Sequence, residues 1–187
     1  MPHQSRPSPN RRKLSRPALS RPTEFSLARD AETLRHPVLP LNRAELRDIL
    51  TRILDVAGLS GDPSEVFSDA FGQPRLELRI TSDRGITDLH QRHLGGAGPT
   101  NVLSFPTESA SDFAPNPNAV NGSIVISADA VIREAFLYGQ DPRDHFIRLL
   151  THALLHLADF DHGEIMDDLT EQVVEHLREP TPDNREP

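Results

Sequence analysis

Apolar residues show no period over the first 38 positions, where Pro, Ser and Arg dominate. That pattern predicts a disordered basic extension over 1–38. Folded structure is expected to begin near Leu41. Asn42 followed by Glu45 has the logic of a capping box, and Leu46, Ile49, Leu50, Ile53 and Leu54 then mark one helical face. Gly58 and Gly61-Asp62-Pro63 end that helix. Leu76, Leu78 and Ile80 alternate with Glu77 and Arg79, the period of a half-buried strand. A short helix is expected from Gly85 to His93, broken by Gly95, Gly96, Gly98 and Pro99. Asn101 to Phe105 reads as a second strand that Pro106 stops. Thr107 to Asn121, which carries Pro115 and Pro117, reads as a mobile loop. Ser123 to Ser127 is apolar on both faces around Ile124-Val125-Ile126, so it is expected to be an interior strand.

The remainder is helical in pattern. Ala128 to Tyr138 is ended by Gly139. Asp141 and Pro142 pair an N-cap with a proline at the first helical position, and the helix runs through Phe146, Leu149, Leu150 and Leu154 towards Ala158. Met166, Leu169, Val173 and Leu177 mark a last helix. Strands early and helices late predict an α+β domain, a small mixed β-sheet of about four strands covered by about five helices. We place that domain at 39–178, with a flexible acidic tail over 179–187.

Composition narrows the chemistry. A chain of 187 residues suits one ordinary domain plus tails. No apolar run approaches the roughly 18 residues of a membrane span, so no membrane partner is expected. Met1 to Pro9 lacks the apolar core of a secretory leader, which favours a cytoplasmic location. The Arg- and Ser-rich start also suits an organelle transit peptide, but Pro2, Pro7, Pro9, Pro17 and Pro22 break any amphipathic helix there. The absence of cysteine removes disulfides, thiolate zinc sites and cysteine nucleophiles together, leaving His, Asp and Glu as the strong metal ligands. The net charge of -8 is unevenly spread: every charged residue from Met1 to Thr23 is basic, and the stretch from Asp159 is mostly acidic. A polyanionic substrate is therefore expected in a local groove, not on a broad basic face.

The candidate chemistry lies between Thr151 and His162. His152 and His156 stand four apart on a helix and project from one face. His162 follows beyond the helix end, so the chain must turn back to supply a third ligand. Asp159 sits where that turn falls, and Asp tolerates the left-handed conformation better than most residues. Three imidazoles leave a fourth tetrahedral position open, as in a catalytic zinc site. One Zn2+ is the expected ion, and nickel or another divalent metal also suits such ligands. His145, seven residues before His152 on roughly the same face, is expected to support the ligands or face solvent. The spacing is shared with the zinc-protease motif H-E-x-x-H-x-x-G-x-x-H, whose glutamate base is here Ala153. That is a chemical objection to a metallopeptidase. Asn101 and Ser104 either line a cleft or simply finish a strand, and Asp161 either orients an imidazole or caps the turn.

These segments resemble the YbeY family, bacterial rRNA maturation factors that act as metal-dependent endoribonucleases. The family's H-G-x-L-H-L-x-G-Y-D-H signature is similar to His152 through His162, and its P-T-[DN]-V-L-S-F-P segment matches Pro99 to Pro106 throughout. Its G-D-I-x-I strand resembles Gly122 to Ile126, and its arginine shortly before the Pro-Thr segment is matched to Arg92. The resemblance implies a small sheet packed by helices, a metal on His152, His156 and His162, and single-stranded RNA as substrate. It implies rRNA and the small ribosomal subunit as partners of a monomer, and hydrolysis of a metal-activated phosphodiester during ribosome maturation. Arg92 would then meet charge developing in the transition state and count as catalytic together with His152. Ala153 replaces a glycine, Asp159 the turn glycine, Phe160 a tyrosine and Ser123 an aspartate, and none of these removes a ligand. The competing reading is a non-catalytic RNA-binding assembly factor with a structural metal.

Overall fold

The computed structural model describes residues 25–33, 42–59, 76–106, 120 and 122–178. Among them are strands β1 (Ser26–Arg29), β2 (Leu76–Thr81), β3 (Val102–Pro106) and β4 (Gly122–Ser127). The helices are α1 (Arg43–Val56), α2 (Asp83–Leu94), α3 (Ala128–Tyr138), α4 (Pro142–Leu157) and α5 (Glu164–Leu177). The strands form one mixed sheet in the order β1-β2-β4-β3, with β1 and β4 parallel to β2 and β3 antiparallel to β4. The α+β architecture is therefore as the periodicities predict.

Local sequence explains most boundaries. The Asn42 side chain accepts from the amides of Ala44 and Glu45 at 2.8 and 3.0 Å, while the Glu45 carboxylate accepts from Asn42 N at 2.6 Å. This reciprocal pair satisfies donors that a bare helix end leaves unpaired. Helix α2 starts earlier than expected because Ser82, not a residue near Gly85, is its cap, accepting from Gly85 N at 3.3 Å. Gly95 closes it in the left-handed region, at φ 64°. Asp141 caps α4 from Arg143 N and Asp144 N, and Pro142 occupies its first turn.

One face of the sheet carries the main core. Leu76, Leu78, Ile80, Ile124 and Ile126 pack there with Leu46, Ile49, Leu50 and Ile53 of α1 and with Phe146, Ile147, Leu150 and Leu154 of α4. Each such fully buried side chain contributes roughly 1.5–3 kcal/mol relative to exposure. The opposite face carries a smaller cluster of Ile86, Leu103 and Val125, covered by α2. Helix α4 meets the β3–β4 hairpin closely. A Cβ on Gly122, at φ 154°, would stand 2.4 Å from the Phe105 carbonyl oxygen and 2.9 Å from Leu157 Cδ2. That close approach fixes the end of α4 against the sheet.

One expectation is corrected: order does not begin near Leu41, and the extension assigned to 1–38 contains a strand. Ser26 pairs with Glu77 and Arg29 with Ile80 along the edge of β2. Phe25, just before β1, is 1% exposed within the core. Asp30, just after it, accepts from Arg79 Nε and Nη2 at 3.1 and 3.0 Å and from the Thr81 hydroxyl. A four-residue edge strand is too short to show a period, and its partners lie some fifty positions away. Residues 1–24 and 34–38, Gly61-Asp62-Pro63, the expected loop Thr107 to Asn121 apart from buried Val120, and the tail 179–187 lie outside the described residues.

Candidate metal centre

Helix α4 presents His152 and His156 on one face, each half-buried. After Leu157 the chain reverses. Asp159 adopts φ 64°, and Phe160 N returns to the Leu155 carbonyl at 3.0 Å. The reversal brings His162 back over the helix. Ring centroids then lie 4.7 Å apart for His152–His156, 5.1 Å for His152–His162 and 4.5 Å for His156–His162. One nitrogen from each ring falls within 4.8 Å of the others, the one such cluster among the described residues.

The hydrogen bonding fits an ion. His156 Nδ1 lies 3.2 Å from the Phe160 carbonyl oxygen, which can only accept, so Nδ1 donates there and Nε2 is the nitrogen turned toward the other rings. That Nε2 lies 3.2 Å from His152 Nε2. Two imidazole nitrogens bound to one tetrahedral zinc ion at its usual bond length stand roughly 3.3–3.4 Å apart, so the pair is already near the spacing an ion requires. Burial, then the charges of His156 and His162, push the His152 imidazole below the ordinary histidine range against the pull of Asp167. A neutral imidazole is the form that binds metal.

Beside the histidines is a cavity of about 370 Å³. Asn101, Val102 and Ser104 line it from the β3 segment, and Arg148, Leu149, His152, Ala153 and His156 line it from α4, with His162 at its margin. Asn101 and Ser104 thus belong to a cleft. The Asn101 side-chain oxygen Oδ1 accepts from Val102 N at 2.8 Å and its Nδ2 donates to Glu134 Oε2 at 3.1 Å. The same Glu134 oxygen lies 3.0 Å from His145 Nε2, and His145 Nδ1 lies 2.9 Å from Gln140 Oε1. His145 therefore neither touches a ligand nor faces solvent. It is 3% exposed and braces the carboxylate that holds Asn101.

Arg92 is placed differently from the histidines. It lies exposed on α2 with Nε donating to the Asp88 carbonyl at 2.9 Å, and it is not among the residues lining the cleft. The arginine that does line it is Arg148. Its spacing of four before His152 carries that information, since such positions share a helix face. Asp161 is exposed, and the group that orients His156 is the Phe160 backbone.

A helix-borne histidine pair completed by a returning third histidine beside a cleft is an arrangement consistent with a metal site. The family model described as endoribonuclease YbeY matches residues 36–179. The endoribonuclease YbeY of Oleidesulfovibrio alaskensis is 38% identical over 152 residues, covering 73% of this chain and 83% of the relative. That of Nitratidesulfovibrio vulgaris is 39% identical over 113 residues, covering 54% of this chain and 70% of the relative. That of Lawsonia intracellularis is 35% identical over 129 residues, covering 69% and 80%. The chain belongs to the endoribonuclease YbeY family. Among the described residues, no helix is long and apolar enough to cross a membrane.

Proposed function

We propose that this chain is a metal-dependent, single-strand-specific endoribonuclease that acts in the cytoplasm on rRNA during maturation of the small ribosomal subunit. The observation that carries the reading is the convergence of His152, His156 and His162 beside a cleft lined with hydrogen-bonding groups. His152, His156 and His162 would hold a divalent cation, with zinc the first choice and nickel also suited, which would supply Lewis acidity toward a phosphodiester and lower the pKa of water.

The chain's own residues do the rest. The Phe160 carbonyl holds His156 in one tautomer, with its Nε2 free for the ion. Ser104 and Asn101 line the cleft within reach of ribose, whose 2′-hydroxyl is the group by which RNA is told from DNA. Arg92, which the family resemblance counts as catalytic, lies exposed near the end of α2 and outside the residues lining the cleft, so its proposed role moves from the reacting group to the RNA backbone. Arg92→Ala with intact metal content is expected to weaken cleavage, and unchanged cleavage would remove this residue from the mechanism.

A non-catalytic assembly factor with a structural metal is the second reading. Structural zinc sites are closed by four protein ligands, whereas the cluster here supplies three among the described residues. A metallopeptidase is disfavoured because Ala153, 1% exposed, stands where the base belongs. The deciding assay incubates the pure protein with single-stranded RNA or with casein, with metal or with chelator. Cleavage of RNA alone, lost with chelator and in His156→Ala, is the expected result. RNA bound but uncut with metal present would favour the assembly factor.

A further inference from the structure

Arg148 is the one permanently charged cation among the residues lining the cleft. It stands one helical turn before His152 on α4, a rise of roughly 6 Å along the axis, on the face that carries His152 and His156. Its side chain is 25% exposed, and the residue lines the cavity.

Its pairing within the protein leaves capacity over. Nη1 and Nη2 donate to the two carboxylate oxygens of Glu171 on α5, the second at 3.1 Å. A guanidinium has five N–H donors in a fixed fork, so this pair uses two of them. Nε is buried and has no hydrogen-bond partner among the described residues. Glu171 is itself 66% exposed, and an ion pair with so exposed a partner is worth little as a tie between helices. The arrangement is that of a guanidinium whose plane is held by Glu171, with one N–H on each Nη not used by that pair.

We infer that Arg148 forms a subsite for a backbone phosphate of the RNA next to the one at the three histidines, and so sets where the strand lies across the cleft. This rests on the nuclease reading above and deepens it by naming the group that binds the flanking phosphate. Planar bidentate recognition of phosphate is what arginine does and lysine does poorly. Glu171 acts as a positioning partner and as a competitor for the same guanidinium.

The test reads counterion release, which a purely structural role would not move. Zinc-loaded wild type, Arg148→Gln, Arg148→Ala and Glu171→Gln are titrated with a phosphorothioate-linked single-stranded RNA, whose charge is retained while its cleavage is slowed, over a series of salt concentrations. Loss of one phosphate contact to single-stranded nucleic acid reduces the slope of log affinity against log salt by about 0.7. Both Arg148 variants are expected to show that reduction and to bind about tenfold more weakly at low salt, as losing a charge-assisted hydrogen bond implies. Glu171→Gln is expected to keep the wild-type slope and to bind more tightly. Arg148→Gln guards against misfolding of the alanine variant, because it can still bond Glu171. An unchanged slope in both Arg148 variants, or the same loss in Glu171→Gln, would overturn the subsite while leaving the nuclease reading intact. Failure of the wild type to bind RNA at all would overturn both.

Discussion

At single positions the site depends on backbone geometry as much as on its ligands. Gly122 admits the Phe105 carbonyl and Leu157 at distances no Cβ tolerates, and Leu157 closes the helix that carries His152 and His156. Gly122→Ala is therefore expected to cost about 1–3 kcal/mol, the usual penalty for forcing a methyl into a filled space. The check is chemical denaturation beside wild type, and an unchanged midpoint would show that the hairpin yields freely. The histidine spacing is visible in the sequence because it shares the helix period, and the turn at Asp159 because the third histidine demands one. Arg148 is equally visible by its spacing, whereas Arg92 stands out only through its match to a family motif. The role of His145 is hidden for a different reason: its partners Glu134 and Gln140 lie on and after α3, and one helix's period says nothing about its neighbour.

Among the elements, those with side-chain caps and long apolar faces, α1, α3 and α4, follow from the sequence nearly to the residue, while α5, uncapped by any side chain, is legible only through its apolar face. Strand β1 does not, because nothing in four residues announces a parallel partner. Asp30 holds this strand in place. Burial works against its charged form, but hydrogen bonds from Arg79 and Thr81 and the charge of Arg79 outweigh that and keep the carboxyl below its ordinary range. A carboxyl lowered on folding adds stability above its unfolded value of 3.8, and that stability is lost as pH falls below it. Asp30→Asn is accordingly expected to destabilise the protein by about 1–2 kcal/mol near neutrality. The variant should also be less sensitive to acid than wild type between pH values of roughly 5 and 3. Denaturation curves across that range read both effects, and parallel loss in the two proteins would contradict them.

Over the whole molecule, the core and the metal centre are separable. The main cluster of buried residues joins β2 and β4 to α1, α4 and α5, while the three histidines lie at its margin, His162 fully outside it. The chain is thus unlike a small zinc module that unfolds without its ion. Chelation is expected to leave far-UV circular dichroism unchanged and to lower the unfolding free energy by the binding contribution alone, about 3 kcal/mol at a hundredfold excess of metal over Kd, with a matching fall in Tm. Loss of secondary structure on chelation would show that the ion holds the fold together. The fold's outline and the convergence of His152, His156 and His162 are both open to sequence reasoning, because hydrophobic period and histidine spacing are local. The cleft is not, since it is made where β3 and α4 meet.

An ion shared by three side chains underlies the proposed activity, so elemental analysis of the purified protein tests it most directly. Wild type and the His152→Ala, His156→Ala and His162→Ala variants, each shown to be folded, are loaded with zinc, dialysed and measured. The expected result is close to one ion per chain in wild type and a large loss in every variant. A wild type that retains no metal, or any one variant that keeps a full complement, would contradict it.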